Sequence, residues 1–224
     1  MTKEYFDNTD FTSDSNDNDF QILLAKATCG DADAQNALAL CYYSGKGGEE
    51  DYGKAAEWWT KAAEQGHAEA QYNLGHCYKD GEGVEEDEKK TITWWTKAAK
   101  QGYAEAQYDL GTCYQWGEGV KQDYKKTMHW WTKAAEQGYV EAQYDVGNCY
   151  EWGQGVKKDY TEAVKWYTKA AEQGDMSAQG ALARCYENGE GVEQNYEKAV
   201  TWYMKAAEQG HATAQEKLKD LTMR

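Results

Sequence analysis

Apolar side chains recur along most of this chain with the three-and-four spacing of an amphipathic helix, and the pattern is itself repeated. In one stretch Ala70, Leu74, Cys77 and Tyr78 mark the inward face of a first helix. Asp80-Gly81-Glu82-Gly83 then breaks it, because glycine supplies the left-handed backbone angles at which helices stop. Asp87 fits the N-cap of a second helix over Glu88 to Lys100, whose apolar face holds Ile92, Trp94, Trp95, Ala98 and Ala99, and Gly102 ends it. The block Trp-x-x-Lys-Ala-Ala-x-Gln-Gly begins at Trp58, Trp94, Trp130, Trp166 and Trp202, each copy 36 residues after the last. A fixed period of this size marks a solenoid, in which each unit buries its apolar face against its neighbours.

The spacing predicts an all-α solenoid with five full units, 31–66, 67–102, 103–138, 139–174 and 175–210. Phe20 to Ala27 has helical apolar spacing and predicts an N-terminal capping helix over 20–30. Residues 1–19 are polar and acidic, with too little apolar surface to offset the entropy of ordering, and are expected to form a flexible tail. Residues 211–224 repeat the start of a first helix and then turn polar, as a C-terminal cap should.

Comparing the repeats with one another separates packing from recognition. Ala34, Ala70, Ala106, Ala142 and Ala178, the Cys-Tyr pairs, the glycine turns and the leading tryptophans do not change, so they serve every interface in the same way. Gln35, Gln71, Gln107, Gln143 and Gln179 recur beside the small alanine and are expected to hydrogen-bond neighbouring backbone. Positions that change between repeats are free of that duty and are candidates for recognition.

Charge narrows the partner. The chain carries 39 acidic and 24 basic residues, a formal charge of −15, which argues against a nucleic-acid backbone or an anionic membrane and favours a basic protein surface. No stretch approaches the roughly 18–20 apolar residues that cross a bilayer. Met1 to Asp7 lacks a basic start followed by an apolar run, so no secretory signal is read and a cytoplasmic protein is expected, with an exported effector or a removed leader as the alternatives. The chain is expected to be a monomer. Five of the six cysteines, Cys41, Cys77, Cys113, Cys149 and Cys185, share one repeat position. Stacked helices lie roughly 8–10 Å apart, too far for a disulfide, so these read as buried thiols, with Cys29 partly exposed.

Catalytic and cofactor chemistry finds no support in these residues. Gly81-Glu82-Gly83 and its equivalents follow a helix rather than a strand, lack the Lys-Ser/Thr of a phosphate-binding loop and mostly carry glutamate. There is no Cys-x-x-Cys, and His67, His76, His129 and His211 occupy unrelated repeat positions, so no metal, cofactor or catalytic residue is assigned. No single thiol is set apart as a nucleophile.

The full pattern, Ala-x-Ala-Gln-x-x-Leu-Gly-x-x-Tyr, then Gly-x-Gly-Val-x-x-Asp, then Lys-Ala-x-x-Trp-x-x-Lys-Ala-Ala-x-x-Gly, resembles the Sel1-like repeat, a relative of the tetratricopeptide repeat. Gly48 and Asn195 replace the loop valine and aspartate, and Thr91 and Thr127 a helix alanine. The resemblance implies a right-handed superhelix of antiparallel helix pairs that acts as a non-enzymatic adaptor for protein complexes. It implies a concave surface lined by Glu69, Tyr72, His76, Lys79 and Asp80 in the second repeat, by Glu105, Tyr108, Thr112, Gln115 and Trp116 in the third, and by Glu141, Tyr144, Asn148, Glu151 and Trp152 in the fourth. Aromatic rings among carboxylates suit a peptide or protein surface that carries Lys or Arg. Tyr72, Tyr108 and Tyr144 have a second reading, as fillers of the groove between helices. An immunity protein that covers the basic cleft of one toxin or enzyme is the alternative within binding. Cysteine-rich members of the family have been linked to β-lactam hydrolysis, but their paired cysteines are absent and no Ser-x-x-Lys occurs, so that activity is not carried over.

Overall fold

The computed structural model describes residues 13–46 and 48–222, and every element among them is a helix. They fall into two compact units that divide between Ala98 and Ala99. The first holds α1 (Ser13–Thr28), α2 (Ala32–Ser44), α3 (Tyr52–Glu64), α4 (Ala68–Asp80) and most of α5 (Glu88–Lys100). The second holds α6 (Ala104–Trp116), α7 (Tyr124–Glu136), α8 (Val140–Trp152), α9 (Tyr160–Glu172), α10 (Met176–Asn188), α11 (Tyr196–Glu208) and α12 (Ala212–Thr222). Within each unit, consecutive helices pack in pairs, the arrangement of a helical solenoid. None of the described helices is long and apolar enough to cross a membrane.

Local chemistry fixes where each helix starts and stops. Asp31, Asp51, Asp87 and Asp175 accept from the backbone N–H three residues on, at 2.6–3.0 Å, and Asn195 does the same at 2.9 Å. His67 and His211 cap through Nδ1, at 3.1 and 3.2 Å. The first helix of each repeat ends on a glycine at φ between 67° and 82°, Gly45, Gly81, Gly117, Gly153 or Gly189.

The repeated glutamines find their atoms here. Gln35, Gln71, Gln107, Gln143 and Gln179 donate from Nε2 to the carbonyls of Ala27, Ala63, Ala99, Ala135 and Ala171 at 2.9–3.2 Å. Gln35, Gln107, Gln143 and Gln179 also accept from the glutamine 30 residues later, as in Gln137 to Gln107 at 2.8 Å. A buried amide that both donates and accepts is satisfied at each step, which makes the contact costly to break.

Packing leaves no room for a side chain where a first helix meets the second aromatic of its block. A Cβ at Gly75 would stand 2.3 Å from the Trp95 ring, and one at Gly111 2.4 Å from Trp131. The leading tryptophans lie half-buried, and the lysine three residues on covers each ring, at 3.6 Å for Lys97 over Trp94 and 3.8 Å for Lys61 over Trp58.

Two expectations change. Helix α1 begins at Ser13, ahead of Phe20, so the expected tail is helical over residues 13–19, and residues 1–12 lie outside the described residues. The polar composition that argued for a tail is also what the solvated first turns of a helix carry. Cys77, Cys113, Cys149 and Cys185 are buried, but Cys41 is only half-buried. Cys77 packs in the core beside Trp59. The residue one period before Trp59 is Leu23, a smaller cover for the layer around Cys41.

None of the six cysteines is in a disulfide, and burial pushes the Cys77, Cys149 and Cys185 thiols up to about 12. In native protein a thiol reagent should therefore modify Cys29 first, Cys41 slowly and the other four only after denaturation. Fast labelling of Cys149 in the native protein, located by peptide mass spectrometry, would contradict this packing.

Candidate functional site

The first helices of the second unit present their changing positions as stripes. Glu105, Asp109, Thr112 and Trp116 follow one another at four, three and four residues along α6, so they share a face, and Glu141, Asp145, Asn148 and Trp152 do the same on α8. At the end of each stripe the tryptophan is exposed, Trp116 by 66% and Trp152 by 64%. Both precede a glycine cap, where the helix has run out of neighbours to cover them. Lys158 of the following loop lies 5.9 Å from the Trp152 ring centre and 4.5 Å from that of Tyr160.

The tyrosines sit one layer deeper. Tyr108 stacks on Trp131 at 5.9 Å and Tyr144 lies 5.8 Å from Tyr167, so both rings fill the groove between first and second helices. Tyr108 still reaches the face through its hydroxyl, which donates to Asp145 Oδ2 at 2.9 Å and ties α6 to α8. Burial pushes the Asp145 carboxyl up to about 6; hydrogen bonds from Tyr108 and Asn148 lower it, and the charges of Asp175 and Glu141 raise it. Burial, together with Asp145, holds the Tyr108 phenol well above its ordinary range.

Glu151 is not on the face. It is 1% exposed and accepts from the Tyr167 hydroxyl at 2.7 Å and from Arg184 Nη2 at 2.6 Å. Arg184 spans outward to Glu190 at 3.1 Å. Asn148 accepts from the same Tyr167 hydroxyl at 2.8 Å. The seventh position after Tyr144 turns toward the second helix, so a carboxylate there answers to the core rather than to solvent.

In the first unit, α4 is more engaged with its own neighbours. Glu69 accepts from Asn36 Nδ2 at 3.0 Å, and Asn36 accepts from Trp59 Nε1 at 3.0 Å. Tyr72 stacks on Trp95 at 6.0 Å, His76 stands edge-on to both rings, and Lys79 lies 5.4 Å from the Trp95 ring centre. Asp80 occupies the position held by Trp116 and Trp152, so α4 offers no comparable exposed anchor. Among the described residues, no three His, Cys, Asp or Glu side chains gather as metal ligands.

Comparison with protein families matches the Sel1 repeat to residues 32–67, 68–103, 104–139, 140–175 and 177–211. The chain belongs to the Sel1-repeat family. Among solved structures it is similar to a protective antigen of uropathogenic Escherichia coli strains that displays an SLR fold, with 40% identity and a TM-score of 0.86 over 90% of this chain and 43% of that one. A Sel1 repeat protein from Oxalobacter formigenes shares 36% identity at a TM-score of 0.80, over 92% of this chain and 82% of that one. A sel1 repeat protein from Klebsiella pneumoniae, 23% identical with a TM-score of 0.52, shares the fold. This chain thus spans less than half the length of the first of these. None of the curated proteins matches it.

Within the Sel1 repeats the sequence holds a signal for two further residues of the stripes. Asp109 and Asp145 complete the four-three-four register begun by Glu105 and Glu141. Glu151 carried a signal too. The second aromatic of the block is Trp59, Trp95 and Trp131 but Tyr167 and Tyr203, and only the last two have glutamate 16 residues earlier. Tyr203 donates to Glu187 at 2.7 Å as Tyr167 does to Glu151. A buried phenol needs an acceptor, so the exchange of Trp for Tyr brings its carboxylate with it.

The raised Asp145 carboxyl gives a pH-dependent stability. Its ordinary value is 3.8 and its folded value about 6, so the folded state holds a proton that the unfolded state has released across that window. The group's contribution is fully present below the lower value and lost as pH rises through the upper one. Asp145→Asn is therefore expected to be more stable than the native chain at pH 8 by roughly 3 kcal/mol, with most of the advantage lost at pH 4. Urea unfolding at the two pH values measures it, and an advantage equal at both would show that Asp145 titrates normally.

Proposed function

We propose that this chain is a non-enzymatic scaffold that holds a basic peptide or protein surface on the first-helix face of its third and fourth repeats. The supporting observation is the pair Trp116 and Trp152, each about two-thirds exposed, at a position where other repeats carry Ser44, Asp80 and Asn188. Stacking does not require tryptophan there. An exposed indole gains little in water and much when a partner covers it, which is why aromatic residues dominate binding energetics.

Carboxylates of the same stripes set the sign of the partner. Glu105, Asp109, Glu141 and Asp145 share the face, and the ionised neighbours that act on Asp145 are themselves acidic. An incoming lysine or arginine relieves that repulsion and stacks on the indoles.

Panning a random peptide display library on the protein tests this reading. The enriched sequences should carry net positive charge, and the Trp116→Ala/Trp152→Ala variant should fail to enrich them. Enrichment of acidic sequences, or equal enrichment by both proteins, would place the binding function elsewhere on the chain.

A further inference from the structure

Helices α1 and α12 are each half of a repeat. α1 ends as a second helix does: the Gly30 N–H donates to Ala27 at 3.1 Å and the Asp31 N–H to Lys26 at 3.2 Å, as Gly66 and His67 donate to Ala63 and Ala62. α12 begins as a first helix does, capped by His211, with Gln215 Nε2 donating to the Ala207 carbonyl at 3.2 Å as Gln71 does to Ala63. Among the described residues no first helix precedes α1 and no second helix follows α12.

The five complete repeats show the contact that each half lacks. Thr91 on α5 donates from Oγ1 to the Gly75 carbonyl on α4 at 3.2 Å, beside the Trp95 ring that a Cβ at Gly75 would strike. Small residues hold this pair of positions throughout: Ala39 with Ala55, Gly75 with Thr91, Gly111 with Thr127, Gly147 with Ala163 and Ala183 with Ala199. Every one of them is buried.

The half-repeats depart from that rule in complementary ways. Lys219 on α12 stands in the register of Gly75, and Asp19 on α1 stands in that of Thr91. Opposite charges therefore replace two small residues, and both are exposed. Leu23 occupies the register of Trp95, so α1 has no indole for the Lys219 stem to strike. Lys217 fixes how α12 is turned, because it donates to Glu187 on α10 at 3.1 Å, and Lys219 lies about 200° around the helix from it. Ile22, 47% exposed, holds the place at which Trp94 packs on the core between α3 and α4.

We infer that copies of this chain join head to tail, α12 of one and α1 of the next forming the two helices of one shared repeat. Asp19 of one copy pairs there with Lys219 of the other, and α11 and α12 of the first copy cover Ile22 of the second. The contact is heterologous, since different surfaces of the two copies meet. The charge pair sets the register and the apolar cover supplies the attraction, because a solvated ion pair alone contributes little. A single helix-pair contact lies at the small end of interface sizes, so the association is weak and the monomer expected from the sequence is its dilute form.

Sedimentation velocity over about 10 µM to 1 mM tests the inference. The average mass should rise with concentration and fall back when salt is added. Asp19→Lys and Lys219→Glu should each hold the chain at the monomer mass throughout, because like charges then meet in the shared repeat. An equimolar mixture of the two variants should associate again, since each offers the opposite charge to the altered end of the other. Both positions are exposed, so circular dichroism should find native helicity in each variant. A native chain that stays at the monomer mass, single variants that associate as the native chain does, or a mixture that stays monomeric would overturn it.

Discussion

Replacing Arg184 by methionine is expected to destabilise the second unit by about 2–4 kcal/mol, because it strands the Glu151 carboxylate inside the protein. Glu151 is 1% exposed, and its two donors are Arg184 Nη2 and the Tyr167 hydroxyl. The hydroxyl remains in the variant, which keeps the cost from the upper end of the range for broken buried pairs. Methionine preserves much of the packing of the arginine stem, so the loss reports charge rather than volume. Adding Glu151→Gln should recover most of the stability, since the amide oxygen still accepts from Tyr167 and no charge is left uncompensated. Urea unfolding of the single and double variants measures this. A single variant within about 0.5 kcal/mol of the native chain, or a double variant no better than the single one, would show that the pair is a surface contact.

Gly155→Ala should cost about 3 kcal/mol, whereas Gly153→Ala, two residues away in the same turn, should cost about 1–2 kcal/mol. Both glycines are left-handed, at φ 71° and 72°, so backbone strain is common to the two. What separates them is the neighbour. A Cβ at Gly155 would stand 2.1 Å from the Tyr124 carbonyl oxygen at the start of the preceding repeat's second helix, whereas one at Gly153 would meet Lys158 at 3.4 Å. The first contact is backbone and has no side chain to give way. Gly191, facing the Tyr160 carbonyl at 2.2 Å, makes the same contact one repeat on and should behave as Gly155 does. Equal costs at 153 and 155 in chemical denaturation would reduce the second glycine of each turn to a matter of backbone angle.

That contrast shows where sequence reading reaches its limit. The period, the helix limits of the second repeat and the glycine stops are local properties, and Glu88–Lys100 with its Asp87 cap forms as the spacing requires. A glycine pressed against a carbonyl of the previous repeat is a tertiary fact, invisible to a scan for helix breakers. The face divides in the same way. Trp116 and Trp152 stand out in sequence because packing positions do not vary between repeats, and they are exposed in the structure. Tyr108 and Tyr144 share the helix with them but turn by a fraction of a turn into the groove, where Trp131 and Tyr167 receive them. Asp145 and Glu151 could be told apart only by register. One falls on the stripe of Glu141 and Trp152, the other on the side that meets Tyr167.

On the proposed function, carboxylates draw a basic partner to this face and tryptophans hold it there. Stopped-flow binding of the tightest peptide selected by panning separates the two roles. Glu105→Gln/Glu141→Gln should chiefly slow association and flatten its dependence on salt, since exposed charges act over about a Debye length, roughly 10 Å at 0.1 M. Trp116→Ala/Trp152→Ala should chiefly speed dissociation, each anchor contributing about 1–3 kcal/mol, with helicity by circular dichroism unchanged. Association and dissociation rates that both variants leave at native values would contradict the account.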